Sequence, residues 1–187
     1  MASEAAVPAA PGAAPERNKS PVDSIAGQIA FLSTGDRALL RRMYLTESHQ
    51  ADGVVIRLMH RAGLTAPSDP RNFAPWRLLV HCAALLSSTA GLYPHATGRP
   101  LGAAFQEIGL SENRLMRLTS ARGKGLEAQI IRAVRMLAQK GQVPVNLRTL
   151  FALIGNDPDK AEDARIRIAK DYYAAEARSE EGTSSDD

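Results

Sequence analysis

Seven basic residues lie close together in the middle of the chain, in an arrangement that suits binding to phosphate groups. Two pairs of them are spaced three residues apart, which places the members of each pair on neighbouring positions of one helix face. Guanidinium groups bind phosphate oxygens through paired hydrogen bonds, and helices can space them along a charged strand. The seven residues are Arg114, Arg117, Arg122, Lys124, Arg132, Arg135 and Lys140.

The charge of the chain is concentrated in this region. The whole chain of 187 residues carries a net charge of only +3. Residues 71–142 contain ten basic and three acidic residues, whereas residues 143–187 contain six basic and ten acidic ones. A solvated helix surface normally mixes both signs, and here only Glu112 and Glu127 lie among the seven bases. This distribution favours a polyanionic partner.

Further basic residues are weaker candidates for the same surface. Asp36 and Glu47 are expected to neutralise locally the three of them that come first in the chain, Arg37, Arg41 and Arg42. Aromatic residues make up 5% of the chain, which predicts contact with the nucleic-acid backbone rather than stacking on bases. The additional candidates are Arg37, Arg41, Arg42 and Arg99.

The sequence contains no pattern typical of an enzyme. None of the four histidines has metal-ligand spacing, and no Gly-x-Ser-x-Gly elbow or complete phosphate loop is present. The acidic residues at 157–163 are predicted to be favourable charge at a helix N-terminus. His81 and Cys82 are predicted to be packed in the core. For His95, in a loop, a structural role is favoured and contact with a partner is the alternative. We therefore predict a non-catalytic protein without a metal or cofactor.

The apolar periodicity predicts an all-α fold of about eight to nine helices. In the best-patterned helix, Leu126, Ile130, Val134 and Leu137 recur at spacings of four, four and three. A wheel of this helix places Arg132 and Arg135 on the opposite, solvent side. The predicted helices cover residues 21–32, 35–46, 52–60, 75–89, 100–106, 112–121, 126–139, 147–154 and 158–177.

One helical nucleic-acid-binding domain is expected over residues 21–177, and two helical lobes meeting near residues 70–100 are an alternative arrangement. Residues 1–20 are expected to form a disordered Pro/Ala-rich tail and not a secretion signal, and residues 178–187 a disordered acidic tail. The single cysteine and the absence of a long apolar run fit a cytoplasmic protein.

Two other function classes fit parts of the sequence. The segment around Gly109 looks like a helix-turn-helix, which would make the protein a sequence-specific regulator. Phe105, however, lies where the tight crossing of such helices usually needs a small residue. A purely structural adaptor whose basic face docks acidic protein is the second alternative.

Four segments in order resemble the small-subunit (CasB) family of the type I-E CRISPR surveillance complex, Cascade. The resemblance covers roughly residues 25–173. It consists of Gly35–Arg42, Gly91–Gly102, Gly109–Leu118 and Arg165–Tyr173.

This resemblance implies a helical, non-catalytic subunit that is present in two copies along the guide RNA (crRNA) and the backbone subunits, with the large subunit as a further partner. Family members help to hold the target duplex open and bind the displaced DNA strand. Carried over by position, Arg99, Arg114, Arg117, Arg122 and Lys124 become the first candidates for strand contact. The paired tyrosines Tyr172 and Tyr173 are expected to lie in the core, with a position at an interface as the alternative.

Overall fold

The described part of the chain is built from helices, as predicted. A computed structural model describes residues 20–46, 49–87, 91–141 and 144–183. Within these ranges it contains nine α-helices, one 3-10 turn and no strand beyond an isolated bridge between His95 and Val145. No helix in the described ranges combines the length and the apolar character needed to cross a membrane. The predicted N-terminal tail lies outside these ranges apart from Ser20.

The helix boundaries agree with the predictions at most ends. The helices are α1 (Pro21–Ala30), α2 (Thr34–Arg42), α3 (Asp52–Arg61), α4 (Pro70–Leu86), α5 (Leu101–Glu107), α6 (Glu112–Ser120), α7 (Gly123–Gln139), α8 (Leu147–Ile154) and α9 (Pro158–Thr183). Capping side chains explain several starts, since they accept hydrogen bonds from otherwise unpaired backbone N–H groups. Ser33 Oγ accepts from Asp36 N at 3.1 Å, and Asn146 Oδ1 accepts from Arg148 N at 3.0 Å.

The fourth helix begins five residues earlier than predicted. Asp69 caps it by accepting from Arg71 N, and Pro70 occupies its first turn. Pro75 was expected to start the helix but lies inside it, where its missing N–H leaves the carbonyl of Arg71 without a helical donor. Asn156 Nδ2 donates to that carbonyl at 3.3 Å. A contact from the α8–α9 connection therefore compensates for the proline, and sequence reasoning could not foresee it.

Several other expectations about helix ends need correction, among them that for α2, which ends at Arg42 and not near residue 46. The seventh helix was predicted to begin at residue 126, yet α7 begins at Gly123. Ser111 lies directly before α6, where a serine often caps a helix, but its side chain makes no capping hydrogen bond. The acidic tail was expected to be disordered from residue 178, whereas α9 continues to Thr183. Residues 184–187 lie outside the described part.

The core forms around α4, which packs against α1, α2 and α3 on the N-terminal side of the sequence and against α7 and α8 on the C-terminal side. The predicted stripe of α7 is buried: Leu126, Ile130, Val134 and Leu137 are all at most 7% exposed. The long helix α9 packs on α5, α6 and α8. This arrangement holds α6 against α7 and fixes the relative position of their exposed faces.

Two polar side chains inside α4 are structural, as predicted. Cys82 is fully buried, and burial raises the pKa of its thiol. His81 is also fully buried, and its Nδ1 lies 2.8 Å from the carbonyl oxygen of Leu40 in α2. Burial lowers the pKa of His81 to about 4. The hydrogen bond to Leu40 opposes this change in part, and the nearby charges of Arg135 and Arg77 add to it.

His81 should make the stability of the protein depend on pH in the acidic range. Its pKa falls from an ordinary 6.5 in the unfolded chain to about 4 in the folded protein, so the unfolded chain binds more protons between these values. The contribution of His81 to the free energy of unfolding is therefore expected to be fully present above pH 6.5. The free energy of unfolding should decrease by about 3 kcal/mol as the pH falls to 4.

Urea denaturation at a series of pH values measures this effect. A His81→Leu variant should lose this contribution to the pH dependence, although the Leu40 carbonyl loses its donor and the protein is less stable at every pH. A His60→Gln variant, altered at an exposed histidine, should keep the wild-type dependence. An unchanged pH dependence in the His81→Leu variant would contradict the assignment.

Candidate nucleic-acid interface

Four of the predicted arginines line one groove between α6 and α7. Arg114 and Arg117 come from α6, and Arg132 and Arg135 come from α7. The groove has a volume of about 590 Å³ and contains no acidic residue among its described lining residues. Because α6 and α7 pack together through buried apolar residues, the four guanidinium groups are held on two rigid, adjacent elements. This α6–α7 groove is the strongest candidate for phosphate contact.

A second groove, between α2 and α7, continues the same basic surface. Arg41 and Arg42 line it together with Arg135, and no acidic residue is found among its described lining residues. Arg135 and Gln139 line both grooves and therefore connect them. We call the combined surface the arginine track. It consists of Arg41, Arg42, Arg114, Arg117, Arg132 and Arg135.

The charges of the arginine track are not neutralised by neighbouring acids. Within the described residues, none of the six arginines forms an ion pair within 4.0 Å. Arg114 Nη1 contacts Met136 Sδ at 3.7 Å, and Arg42 Nε donates to Ala38 O on its own helix at 3.2 Å. The track therefore presents uncompensated positive charge to solvent.

The acids that were expected to dilute this charge make other contacts. Asp36 pairs with Arg57 of α3 at 2.5 Å instead of with α2. Glu112 accepts a hydrogen bond from Tyr173 Oη at 2.7 Å, and Glu127 lines a different cavity. Glu47 lies outside the described residues. The local neutralisation predicted for Arg41 and Arg42 by Asp36 is therefore wrong.

Arg37 does not belong to the interface, and the prediction that included it is corrected. Its side chain is buried, with the residue only 7% exposed. Nη2 donates to the carbonyl oxygen of Leu32 at 3.0 Å and lies 3.4 Å from that of Ala30, at the end of α1. Arg37 thus satisfies backbone groups at a helix C-terminus, where a cation is also favoured by the helix dipole.

Three further candidates lie away from the track. Arg99 is half-buried and pairs with Glu107 at 2.5 Å. Arg122 donates through Nη1 to the three carbonyls of residues 119–121 and lies 3.3 Å from Glu162. Lys124 is exposed and shares a separate cavity with Arg122. Arg99 and Arg122 therefore have structural partners. Among the described residues, Lys124 is the one of these three that makes no ion pair or hydrogen bond.

The remaining polar candidates are structural. His95 Nδ1 accepts from Leu147 N at 3.0 Å, and its Nε2 lies 3.0 Å from Asp23 Oδ1. Arg148 binds the same carboxylate, and this contact is the main reason that the pKa of Asp23 is lowered. The cluster joins α1, the loop before α5 and the start of α8. His95 therefore holds elements together, in agreement with its predicted structural role.

The tyrosine pair divides between core and surface, so the prediction for Tyr173 is wrong. Tyr172 is buried and donates to Leu110 O at 2.6 Å, whereas Tyr173 is 41% exposed.

The acidic cluster at the start of α9 behaves as predicted, because Asp157 caps the helix by accepting from Lys160 N at 3.1 Å. Among the described residues, no three His, Cys, Asp or Glu side chains come together as a metal site would require.

Sequence reasoning missed the neutral residues of the groove and one buried arginine. Gln129, Met136 and Gln139 line the α6–α7 groove beside the arginines, and no motif distinguishes them. Arg165 is only 7% exposed. It lies four residues after Ala161 and three before Ile168, both buried, so helical periodicity in α9 could have placed it on the inner face.

The comparison with protein families decides the assignment. The model of the family CRISPR-associated protein Cse2 matches residues 36–173. The chain belongs to this family. Cse2, also called CasB, is the small subunit of CRISPR Cascade and is a structural subunit that is not known as an enzyme. The resemblance stated from the four sequence segments is confirmed.

A solved structure described as CasB from Thermobifida fusca is similar to this Cse2 protein at 14% sequence identity. The similarity covers 79% of this chain and 97% of that chain, with a TM-score of 0.48. Likeness at this level adds nothing to the family assignment. A search of curated proteins finds no match.

Proposed function

We propose that this Cse2 protein is the small subunit of a type I-E Cascade and that its arginine track binds the displaced DNA strand through the phosphate backbone. The observation that carries this proposal is the placement of six unpaired arginines in two connected grooves without an acid among their described lining residues. Its partners would be the crRNA, the large and backbone subunits, the target DNA and a second copy of itself, in the cytoplasm.

The chemistry of the grooves favours the backbone over the bases. Guanidinium groups form charge-assisted hydrogen bonds with phosphate oxygens. No aromatic side chain is among the described residues that line either groove, so a platform for base stacking is missing there. In a guide-directed complex, base pairing reads the sequence and the protein needs only to retain the separated strand. A sequence-independent basic surface is sufficient for that task.

The helix-turn-helix alternative is less consistent with the geometry. The turn at Gly109 is present, with a φ of +73°, but the first helix of the pair is buried from Leu101 to Phe105. Arg114 and Arg117 of the second helix line a groove with α7. A recognition helix instead has to project into the major groove of DNA.

A salt titration of binding to single-stranded and duplex DNA of several unrelated sequences tests the proposal. For a track that contacts phosphates, log affinity should decrease linearly with log salt concentration, by about 0.7 per contact for a single strand. The affinity should be the same for every sequence. A preference for one duplex that persists at moderate salt would support the regulator instead. Binding to acidic proteins but not to either form of DNA would support the adaptor.

A further inference from the structure

A second basic cavity lies at the N-terminal end of α7, away from the arginine track. It has a volume of about 630 Å³ and is bounded by the start of α4, the first turn of α7 and the α8–α9 connection. Its lining includes four basic side chains and two acidic ones. The basic ones are Arg71, Arg122, Lys124 and Arg165, and the acidic ones are Glu127 and Glu162.

The guanidinium group of Arg165 lacks adequate partners. Its side chain is 8% exposed, and its buried Nε has no hydrogen-bond partner among the described residues. Nη1 reaches only Glu162 Oε2, at 3.4 Å, and Arg122 Nη2 approaches the same oxygen at 3.3 Å. One carboxylate oxygen is thus shared by two arginines. A buried cation with such weak pairing is costly for the fold unless something else neutralises it.

The electrostatics of the cavity agree with this geometry. Burial and the nearby charge of Arg122 lower the pKa of Arg165, although Glu162 opposes the change. The N-terminus of α7 opens at the same place, and its N-cap residue, Arg122, makes no side-chain capping hydrogen bond. The first N–H groups of this 17-residue helix are therefore available to an anion, which the helix dipole also favours.

We propose that this cavity is a binding site for a single phosphate group, held by Arg165 and Arg71 with Lys124 and the first turn of α7. An anion of this kind would neutralise the poorly paired guanidinium group of Arg165 and offset the excess of basic over acidic lining residues. The phosphate can belong to free inorganic phosphate or to a nucleic-acid backbone. In the second case the site deepens the proposed function, since it adds a recessed contact beyond the arginine track.

NMR of the arginine Nε–H groups in the ¹⁵N-labelled full chain tests this site directly. One series is titrated with inorganic phosphate and the other with a short oligothymidylate. The Arg165 Nε resonance is expected to shift in at least one series. A shift with inorganic phosphate identifies a site for the free anion, and a shift with the oligonucleotide alone identifies the strand backbone. An Arg165 resonance that moves with neither probe overturns the proposal.

Matched variants separate this site from a general effect of charge. Arg71→Gln should weaken the phosphate response about tenfold, as expected for one lost charge-assisted hydrogen bond. Arg165→Met removes the Arg165 resonance itself, so in this variant phosphate binding is followed through the Nε–H group of Arg71, whose response should be abolished. The protein should stay folded, because replacing a poorly paired buried charge by an apolar side chain is often neutral or stabilising. Arg167→Met removes the same charge from an exposed position two residues later and should leave the response unchanged. Equal effects of Arg71→Gln and Arg167→Met would contradict the assignment.

The failure of this proposal can be told apart from failure of the proposed function. A variant in which Arg114 and Arg117 are reversed to glutamate alters the arginine track but not the cavity. If this variant and the wild type respond equally to inorganic phosphate, the cavity is an independent site, even where neither protein binds the oligonucleotide. If inorganic phosphate and oligonucleotide leave Arg165 unaffected while the wild type binds DNA, the track functions without the cavity and this inference is wrong.

Discussion

A variant in which Arg114 and Arg117 are both replaced by glutamate is expected to bind single-stranded DNA roughly 25-fold more weakly at about 0.1 M salt. The two arginines share one face of α6 and line the α6–α7 groove opposite Arg132 and Arg135. Each lost phosphate contact should reduce the slope of log affinity against log salt concentration by about 0.7, so the double variant should lose about 1.4. Repulsion from the new carboxylates can only add to this effect.

The matched control reverses Arg167 and Lys170 on α9. These residues have the same three-residue spacing, are exposed and lie outside both grooves of the arginine track. The net change in charge is identical, so any loss common to both double variants measures the overall charge. Fluorescence anisotropy with a labelled oligonucleotide gives both slopes. If the two variants lose affinity equally, the α6–α7 groove has no special role and the adaptor hypothesis becomes the better one.

Replacement of Gly102 by alanine is expected to destabilise the protein by about 3 kcal/mol, a value at the upper end for an overpacked site. A Cβ atom at Gly102 would lie 2.0 Å from the carbonyl oxygen of Ile168 and 2.8 Å from the amide nitrogen of Tyr172. Both atoms belong to the backbone of α9, so no side-chain rotation can relieve the clash. The two helices would have to separate, and the buried hydrogen bond from Tyr172 to Leu110 O would be weakened.

Thermal denaturation measures this effect, and the melting temperature should decrease by about 6–12 °C for a chain of this size. Gly27→Ala is the control, because Gly27 lies inside α1 and an added Cβ meets nothing within 4 Å. That variant should be more stable by about 1 kcal/mol, since alanine favours the helix. A Gly102→Ala variant as stable as the wild type would mean that α5 and α9 do not approach as closely as described.

The fold was largely predictable because apolar residues recur with helical period and because capping residues such as Ser33 and Asn146 precede the helices. The errors arose where distant residues act. Asn156 supports the carbonyl that Pro75 leaves unpaired, and no local pattern in α4 announces that contact. The close approach at Gly102 is likewise a property of the α5–α9 pair and not of either helix alone.

The candidate site was predictable in its chemistry but only partly in its membership. Spacing correctly placed Arg132 on the solvent face of α7, whereas Arg135 is half-buried. The charge excess over residues 71–142 identified the α6–α7 part of the track but not Arg41 and Arg42. Counting basic residues does not distinguish exposed from buried ones, however. Arg37 shares a helix face with the buried residue Leu40, and Arg165 shares one with Ile168, so both were open to prediction from periodicity. The connection of α2 to the track through Arg135 depends on helix packing and required the structure.

The burial of Cys82 has a practical consequence for measurements on this protein. Cys82 is the single thiol of the chain, it has no exposed surface, and its pKa is raised. Thiol reagents react with the thiolate, so they reach this sulfur only when α4 separates from the helices around it. The reactivity of Cys82 thus reports the opening of the core, while a cysteine introduced at an exposed position of the arginine track would carry a label without interference from the native thiol.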